Sequence, residues 1–228
     1  SLASVSSRYR AVFCDLWGCL HNGKAPFPEA VAALRTFRAA GGKVLLLTNA
    51  PRPKPSVLKQ LERIGVPGDC YDEVVSSGDA AQYALITGAV GRRVHHIGPE
   101  KDNPFFTDLA DDLKPIAATQ EPIVKVPLDQ AEGIVCTGPF DDLKDVPDDY
   151  RATFLYAKTK GLKLLCANPD LVVHFGDQML YCAGALAQLY DQMGGESLYF
   201  GKPHPPIYDL ARRRLAALTG VLPEEEIL

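Results

Sequence analysis

A chain of 228 residues with 46% hydrophobic content and a formal net charge of −4 at pH 7 is long enough for one large α/β domain, or for a core with a smaller inserted one. It has no basic footprint, so nucleic acid and anionic membranes are not expected partners, and a small anionic substrate needs local positive groups. Six cysteines (Cys14, Cys19, Cys70, Cys136, Cys166, Cys182) stand singly, residues 1–7 lack a signal-peptide layout, and no apolar stretch approaches the roughly 20 residues of a membrane span, so a cytoplasmic location is expected.

Short apolar runs alternate with helical patterns, the signature of a parallel sheet covered on both faces. Runs at 11–14 and 44–47 flank a helix over 28–40 that ends at Gly41-Gly42, which makes a first βαβ unit. A helix over 55–64 stops at Gly65 before a strand at 74–76, and Asp79 is placed to cap the next helix, up to Ile86. From there to about Tyr181 the pattern restarts, with strands at 94–97, 134–136 and 162–166 and loops rich in Asp and Pro such as 141–149, a charge run read as solvated. An alanine-rich helix over 183–193, a strand at 198–200 and a helix over 207–218 follow, the last with Arg212, Arg213 and Arg214 expected in solvent. Residues 223–228 read as a turn feeding a further strand. The expected fold class is α/β: a Rossmann-like doubly wound parallel sheet made by residues 1–78 and 183–228, with the C-terminal part of that core not among these residues, and an inserted α/β cap domain over 79–182.

Ligands of open α/β sheets bind beyond the carboxyl ends of the strands, where Asp15, Thr48-Asn49 and Lys202 all fall. A carboxylate can attack phosphorus, a hydroxyl and backbone N–H groups can hold the oxygens of a phosphoryl group, and a lysine offsets their charge. Asp15-Leu16-Trp17-Gly18-Cys19-Leu20 resembles the first motif of the haloacid dehalogenase superfamily, usually Asp-x-Asp-Gly-Thr-Leu; Leu47-Thr48-Asn49-Ala50 resembles the second and Gly201-Lys202-Pro203 the third. The Leu-Thr-Asn-Ala form, the block Asn168-Pro169-Asp170 and residues 201–208 resemble the NagD-like branch (class IIA), whose cap lies between the second and third motifs.

The resemblance implies that Asp15 is the nucleophile, that Thr48 and Asn49 hold the phosphoryl group, and that Lys202 stabilises its charge. It also implies a Mg²⁺ cofactor held by Asp15 and the backbone carbonyl of Trp17, an ion that favours hard oxygen ligands. Arg52 beside the second motif, and Asn168 and Asp170 in the cap, are further candidates for contact with the substrate. The expected partner is a small phosphorylated metabolite, and a homodimer is allowed for.

The sequence departs from the motif at Trp17, which replaces the aspartate that protonates the leaving group. Indole cannot do that work, and a positioned general acid is worth about 10²–10⁴ in rate. His21 is either a substitute proton donor or, the plainer reading, a solvated loop residue; His174 is a cap residue near Asn168 that either touches substrate or makes a turn. The family's fourth motif would follow the strand that begins at Ile227-Leu228, and with Asp15 the single metal-site carboxylate in these residues, weak Mg²⁺ affinity is expected. The leading expectation is a Mg²⁺-dependent phosphomonoesterase acting through an aspartyl-phosphate. The alternatives are a phosphate-ligand binding or regulatory protein with weak turnover and, third, a carbon–halogen hydrolase.

Overall fold

The structure is a computed structural model that describes residues 5–175 and 178–228, with the side chains of His174 and Phe175 outside that description. Three parallel strands, β1 (Ala11–Asp15), β2 (Lys43–Thr48) and β3 (Glu73–Ser76), form the first sheet in that order, with Asp15 opposite Leu47 and Thr48 opposite Ser76. The helix α1 (Pro28–Ala39) starts with Pro at its first turn, buries Val31, Leu34 and Phe37, and gives way to Gly41 at φ +93°, a left-handed position that suits glycine. With α2 (Lys54–Arg63), which buries Val57 and Leu61, it covers one face of this sheet. The other face is covered by α3 (Ser77–Ile86) and, from the end of the chain, α8 (Pro205–Thr219).

Between α3 and α8 the chain builds α4 (Pro104–Thr107), α5 (Lys114–Ala118), α6 (Arg151–Thr159), α7 (Ala183–Gln192) and a second parallel sheet. Its strands are β4 (Arg93–Ile97), β5 (Val124–Lys125), β6 (Gly133–Cys136), β7 (Lys163–Cys166) and β10 (Glu196–Tyr199), in the order β10-β7-β6-β4-β5. An antiparallel pair, β8 (Val172–Phe175) and β9 (Gln178–Tyr181), stands apart from both sheets. The expected fold class, an α/β parallel-sheet core with a second α/β unit, is what the chain forms.

Three placements differ from the sequence reading. The segment 183–199, assigned above to the first sheet, belongs with the second: β10 pairs with β7 in register Leu198 to Leu165, and α7 packs Leu186, Leu189 and Tyr190 into the cluster under that sheet. The apolar pattern marks a buried strand but carries no information on which sheet receives it. Arg214 is not in solvent. It is 6% exposed, and its guanidinium donates to the carboxylates of Asp79 and Asp112 and to the carbonyl of Val74. Asp79 in turn is not the cap of α3: Ser76 Oγ accepts from Asp79 N, while the fully buried Asp79 carboxylate accepts from Lys54 N and Arg214.

At 227–228, where the sequence reading expects a strand, the chain makes an isolated bridge to β1. Ile227 bridges Ala11 in parallel, Leu228 N donates to the Ala11 carbonyl, and Phe13 N donates to the Leu228 carbonyl. All six thiols are free, and no helix among the described residues is long and apolar enough to cross a membrane.

Candidate functional site

The strand ends bring the predicted residues together. Asp15 closes β1 and Thr48 closes the neighbouring β2, so parallel pairing alone puts the carboxylate and the hydroxyl on one edge. Lys202 arrives from the far end of the sequence, two residues after Phe200, and its Nζ donates to Asp15 Oδ1 and to the Leu47 carbonyl at 3.4 Å. Asn49 fixes the approach: its Oδ1 accepts from Lys202 N at 2.7 Å, and its Nδ2 donates to the Lys202 carbonyl at 3.0 Å and to Asp170 Oδ1 at 2.8 Å. One amide therefore joins the first sheet, the lysine loop and the loop after β7.

Gly201 makes that convergence sterically possible. A Cβ there would lie 2.5 Å from Pro169 Cδ, 2.6 Å from Asn49 Oδ1 and 2.7 Å from Ser77 Oγ, all inside contact distance. Thr48 is buried at 9% exposure and its Oγ1 accepts from Ala50 N, which folds the turn after β2 back on itself. The Asp15 side chain keeps 39% exposure and that of Lys202 23%, so the pair faces an open approach.

Asn168 and Asp170, the further candidates for contact with substrate, both make bonds within the protein. The Asp170 carboxylate is engaged by Asn49, and Asn168 Oδ1 accepts from Asp170 N in a local turn that shapes the loop. Arg52 donates to Gln60 Oε1 at 2.6 Å; burial lowers its pKa, opposed by the charge of Asp102 from the second unit. It is thus tied to α2.

Trp17 and His21 form one structural piece. Gly18 at φ +78° reverses the chain, and Trp17 bridges His21 in parallel, with Gly18 N donating to the His21 carbonyl and His21 N to the Leu16 carbonyl. The Trp17 carbonyl takes part in neither bond. The indole, 40% exposed, meets the His21 ring edge-on at 5.8 Å and covers Gly23, where a Cβ would come within 2.5 Å of the ring. His21 is 3% exposed, against the expectation of a solvated loop residue. Its Nδ1 accepts from Gly23 N at 3.0 Å, and burial lowers its pKa, with the Asp15 charge opposing. The ring is therefore neutral with its proton on Nε2, which removes it as an imidazolium acid and leaves no free base nitrogen.

Sequence reasoning passed over Cys19, which stands where the first motif usually has threonine. Its thiol pKa is raised by partial burial and by the Asp15 charge. The neighbouring Cys14 is pushed up to about 11 by burial, Cys19 and Asp15, so both thiols stay protonated beside the carboxylate. Motif spacing was the available signal for Cys19.

Among the described residues no group of three or more His, Cys, Asp or Glu side chains is arranged to hold a metal ion. One carboxylate with a backbone carbonyl still suits Mg²⁺, which keeps several waters and takes further oxygens from a phosphate. Asp15 and the Trp17 carbonyl fit that limited role.

A family model for haloacid dehalogenase-like hydrolases matches residues 12–110. A haloacid dehalogenase-like hydrolase from Brucella suis is 40% identical to this chain, with a TM-score of 0.88 over 99% of it and 79% of the other. A 4-nitrophenylphosphatase from Thermotoga maritima shares the fold at 16% identity, with a TM-score of 0.68 over 98% of this chain and 78% of that one. A glycerol phosphate phosphatase from Mycobacterium tuberculosis, in complex with calcium, does so at 22% identity, with a TM-score of 0.66 over 92% of this chain and 58% of its own. No curated protein matches the chain.

Proposed function

The chain belongs to the haloacid dehalogenase-like hydrolases, and we propose that within that family it is a phosphomonoesterase of the NagD-like type, acting through an aspartyl-phosphate on Asp15. The observation that carries this reading is the Lys202 ammonium on the Asp15 carboxylate, held there by the Asn49 clasp and flanked by Thr48. A small phosphorylated metabolite in the cytoplasm is the substrate class, and the second unit serves as a cap that selects it. The phosphatase names of two proteins sharing the fold support this choice.

In the first step an Asp15 oxygen attacks phosphorus, the ester P–O bond breaks, and the departing oxygen leaves as the anion, to be protonated afterwards by solvent water. Lys202 offsets the charge on the phosphoryl oxygens, and Thr48 Oγ1 with the backbone after β2 holds them. In the second step water attacks phosphorus, the acyl-phosphate P–O bond breaks, and inorganic phosphate leaves with Asp15 regenerated as carboxylate. Asp15 and the Trp17 carbonyl would hold Mg²⁺, which neutralises phosphate charge when bound.

Because no acid stands at position 17 and His21 holds its single proton on Nε2, the leaving group must carry its own charge. Aryl and acyl phosphates should therefore be cleaved about 10²–10⁴ faster than alkyl phosphates. The test is kcat/KM of the full-length protein with Mg²⁺ on p-nitrophenyl phosphate, acetyl phosphate and a panel of sugar phosphates, with Asp15→Asn as the control. Equal rates on aryl and sugar phosphates, or unchanged activity in Asp15→Asn, would refute the reading.

A second reading follows from Trp17 itself: the indole seated on Gly23 fits a protein that holds a phosphate ligand and turns it over slowly. Trp17→Asp separates the two. A large gain in rate supports a lapsed enzyme, and a loss places tryptophan in a working mechanism.

A further inference from the structure

Trp17 stands two residues after the Asp15 carboxylate, and its side chain has so far been counted only as a missing acid. Leu16 between them is 3% exposed and packs into the core cluster under β1. The side chains on either side of it therefore turn away from that core, toward the open approach on which the Asp15 side chain keeps 39% exposure. Two residues of chain span at most about 7 Å, so the indole begins within the length of an aryl phosphate seated on Asp15.

The ring is held in place. It lies on Gly23, where a Cβ would come 2.5 Å from the indole Cη2 and 2.7 Å from Cζ3, and it meets the His21 ring edge-on at 5.8 Å with 84° between the planes. Gly23 has φ +85°, so space and backbone conformation both reserve that position for glycine, and the bare turn is what lets the indole lie down on it. His21, the second support, is itself 3% exposed and fixed by the Gly23 N–H on its Nδ1. With both contacts made, Trp17 still keeps 40% exposure. A pre-placed aromatic face loses little further side-chain freedom when a ligand covers it, which is what makes such a face an efficient contact.

Two separate features select the ligand. Without an acid at position 17 the leaving oxygen departs as an anion, which favours aryl and acyl phosphates over alkyl ones. The indole then chooses between those two, because only an aryl group offers a flat π face to stack on it.

We propose that Trp17 is a specificity-determining residue whose exposed indole is the platform for an aromatic leaving group, so that the substrate class of the Asp15 site is a phosphate monoester of a phenol-type hydroxyl. This rests on the phosphomonoesterase reading above and narrows it. Sugar phosphates lack both the good leaving group and the flat ring, and acyl phosphates lack the second.

The experiment titrates the full-length protein, with Mg²⁺ present, with phenylphosphonate and methylphosphonate, whose C–P bonds resist hydrolysis. Calorimetry should find the phenyl compound about 10-fold the tighter of the two. Trp17→Leu should cut that ratio to about 2 or below, and Trp17→Phe should restore most of it, whereas an indole that only props up the turn would weaken both phosphonates together. Phenylphosphonate should also change the tryptophan emission saturably, and Trp17→Phe should remove that change. A ratio near one in wild type, or the wild-type ratio kept in Trp17→Leu, with methylphosphonate bound and displaced by inorganic phosphate, would overturn the platform and leave the phosphatase reading standing. Failure of either phosphonate to bind would overturn both.

Discussion

Replacing Arg214 by Met tests the buried charge network beneath the site. Arg214 and Asp79 have side chains 5% and 0% exposed and lie 2.6 Å apart, and through Asp79 the pair ties α8 to α3 and to the first residue of α2. Burial works against the guanidinium charge, yet Asp79 and Asp112 hold it protonated above its ordinary value. In Arg214→Met the Asp79 carboxylate stays buried without its counter-charge, a loss of about 3–5 kcal/mol at pH 7, large beside the 5–15 kcal/mol of a typical fold. The pH dependence follows from the sign of the shift. Burial raises the pKa of Asp79, with Arg214 opposing, so the variant pKa rises further. A folded pKa above the unfolded one gives stability that is present at low pH and lost as pH rises through the folded value. The gap between wild type and variant should therefore widen from pH 5 to pH 8 in urea unfolding, and Asp79→Asn added to Arg214→Met should narrow it. A single-variant loss below about 1 kcal/mol, or one that is the same at both pH values, would show that the pair is not carrying an ionic load.

Three further outcomes are expected. Asn49→Ala removes the three bonds that place Lys202 and Asp170, so kcat/KM on p-nitrophenyl phosphate should fall about 10- to 100-fold; urea midpoints should drop by the equivalent of roughly 1–3 kcal/mol, and full activity would refute the clasp. Gly201→Ala should cost activity more than stability, because its Cβ collides with Pro169, Asn49 and Ser77 at the lysine loop; steady-state kinetics beside a thermal melt would reveal the opposite ranking. Asp102, 4% exposed, has its pKa raised to about 6 by burial, with a Thr137 hydrogen bond opposing, so wild type should lose up to about 3 kcal/mol relative to Asp102→Asn as pH rises from 4 through 6; parallel urea midpoints across that range would contradict it.

The first sheet was legible because its strands are uninterrupted apolar runs and each ends in the polar residue that the motif needs, at Asp15 and at Thr48. The allegiance of 183–199 was not, since Leu198 is equally apolar against either sheet and only pairing with β7 decides. Arg214 was misread for a related reason. Three successive arginines on a helix look like a solvated face, and nothing local announces that Asp79 and Asp112, more than a hundred residues away in sequence, turn one of them inward. His21 was read as solvated because a His-Asn-Gly turn is polar in composition, whereas the indole of Trp17 roofs the turn and shuts water out.

Trp17 and Asn49 together define what this site can do. A carboxylate on one sheet, the nucleophile of the proposed reaction, and a lysine delivered from the end of the other require a fixed distance between two units, and that distance is set by one side chain, Asn49, bonded to both the Lys202 backbone and Asp170. On the proposed reading the charge-handling half of a phosphoryl-transfer site is thereby preorganised, and preorganised electrostatics is the larger part of such catalysis. The proton-handling half is closed off by the same kind of packing: the indole on Gly23 fixes the turn whose N–H occupies His21 Nδ1. Leaving-group pKa is then the variable that should govern the rate, and its slope across a series of substituted aryl phosphates, steep here and shallow in a family member with aspartate at this position, measures how much of the work position 17 has ceded to the substrate.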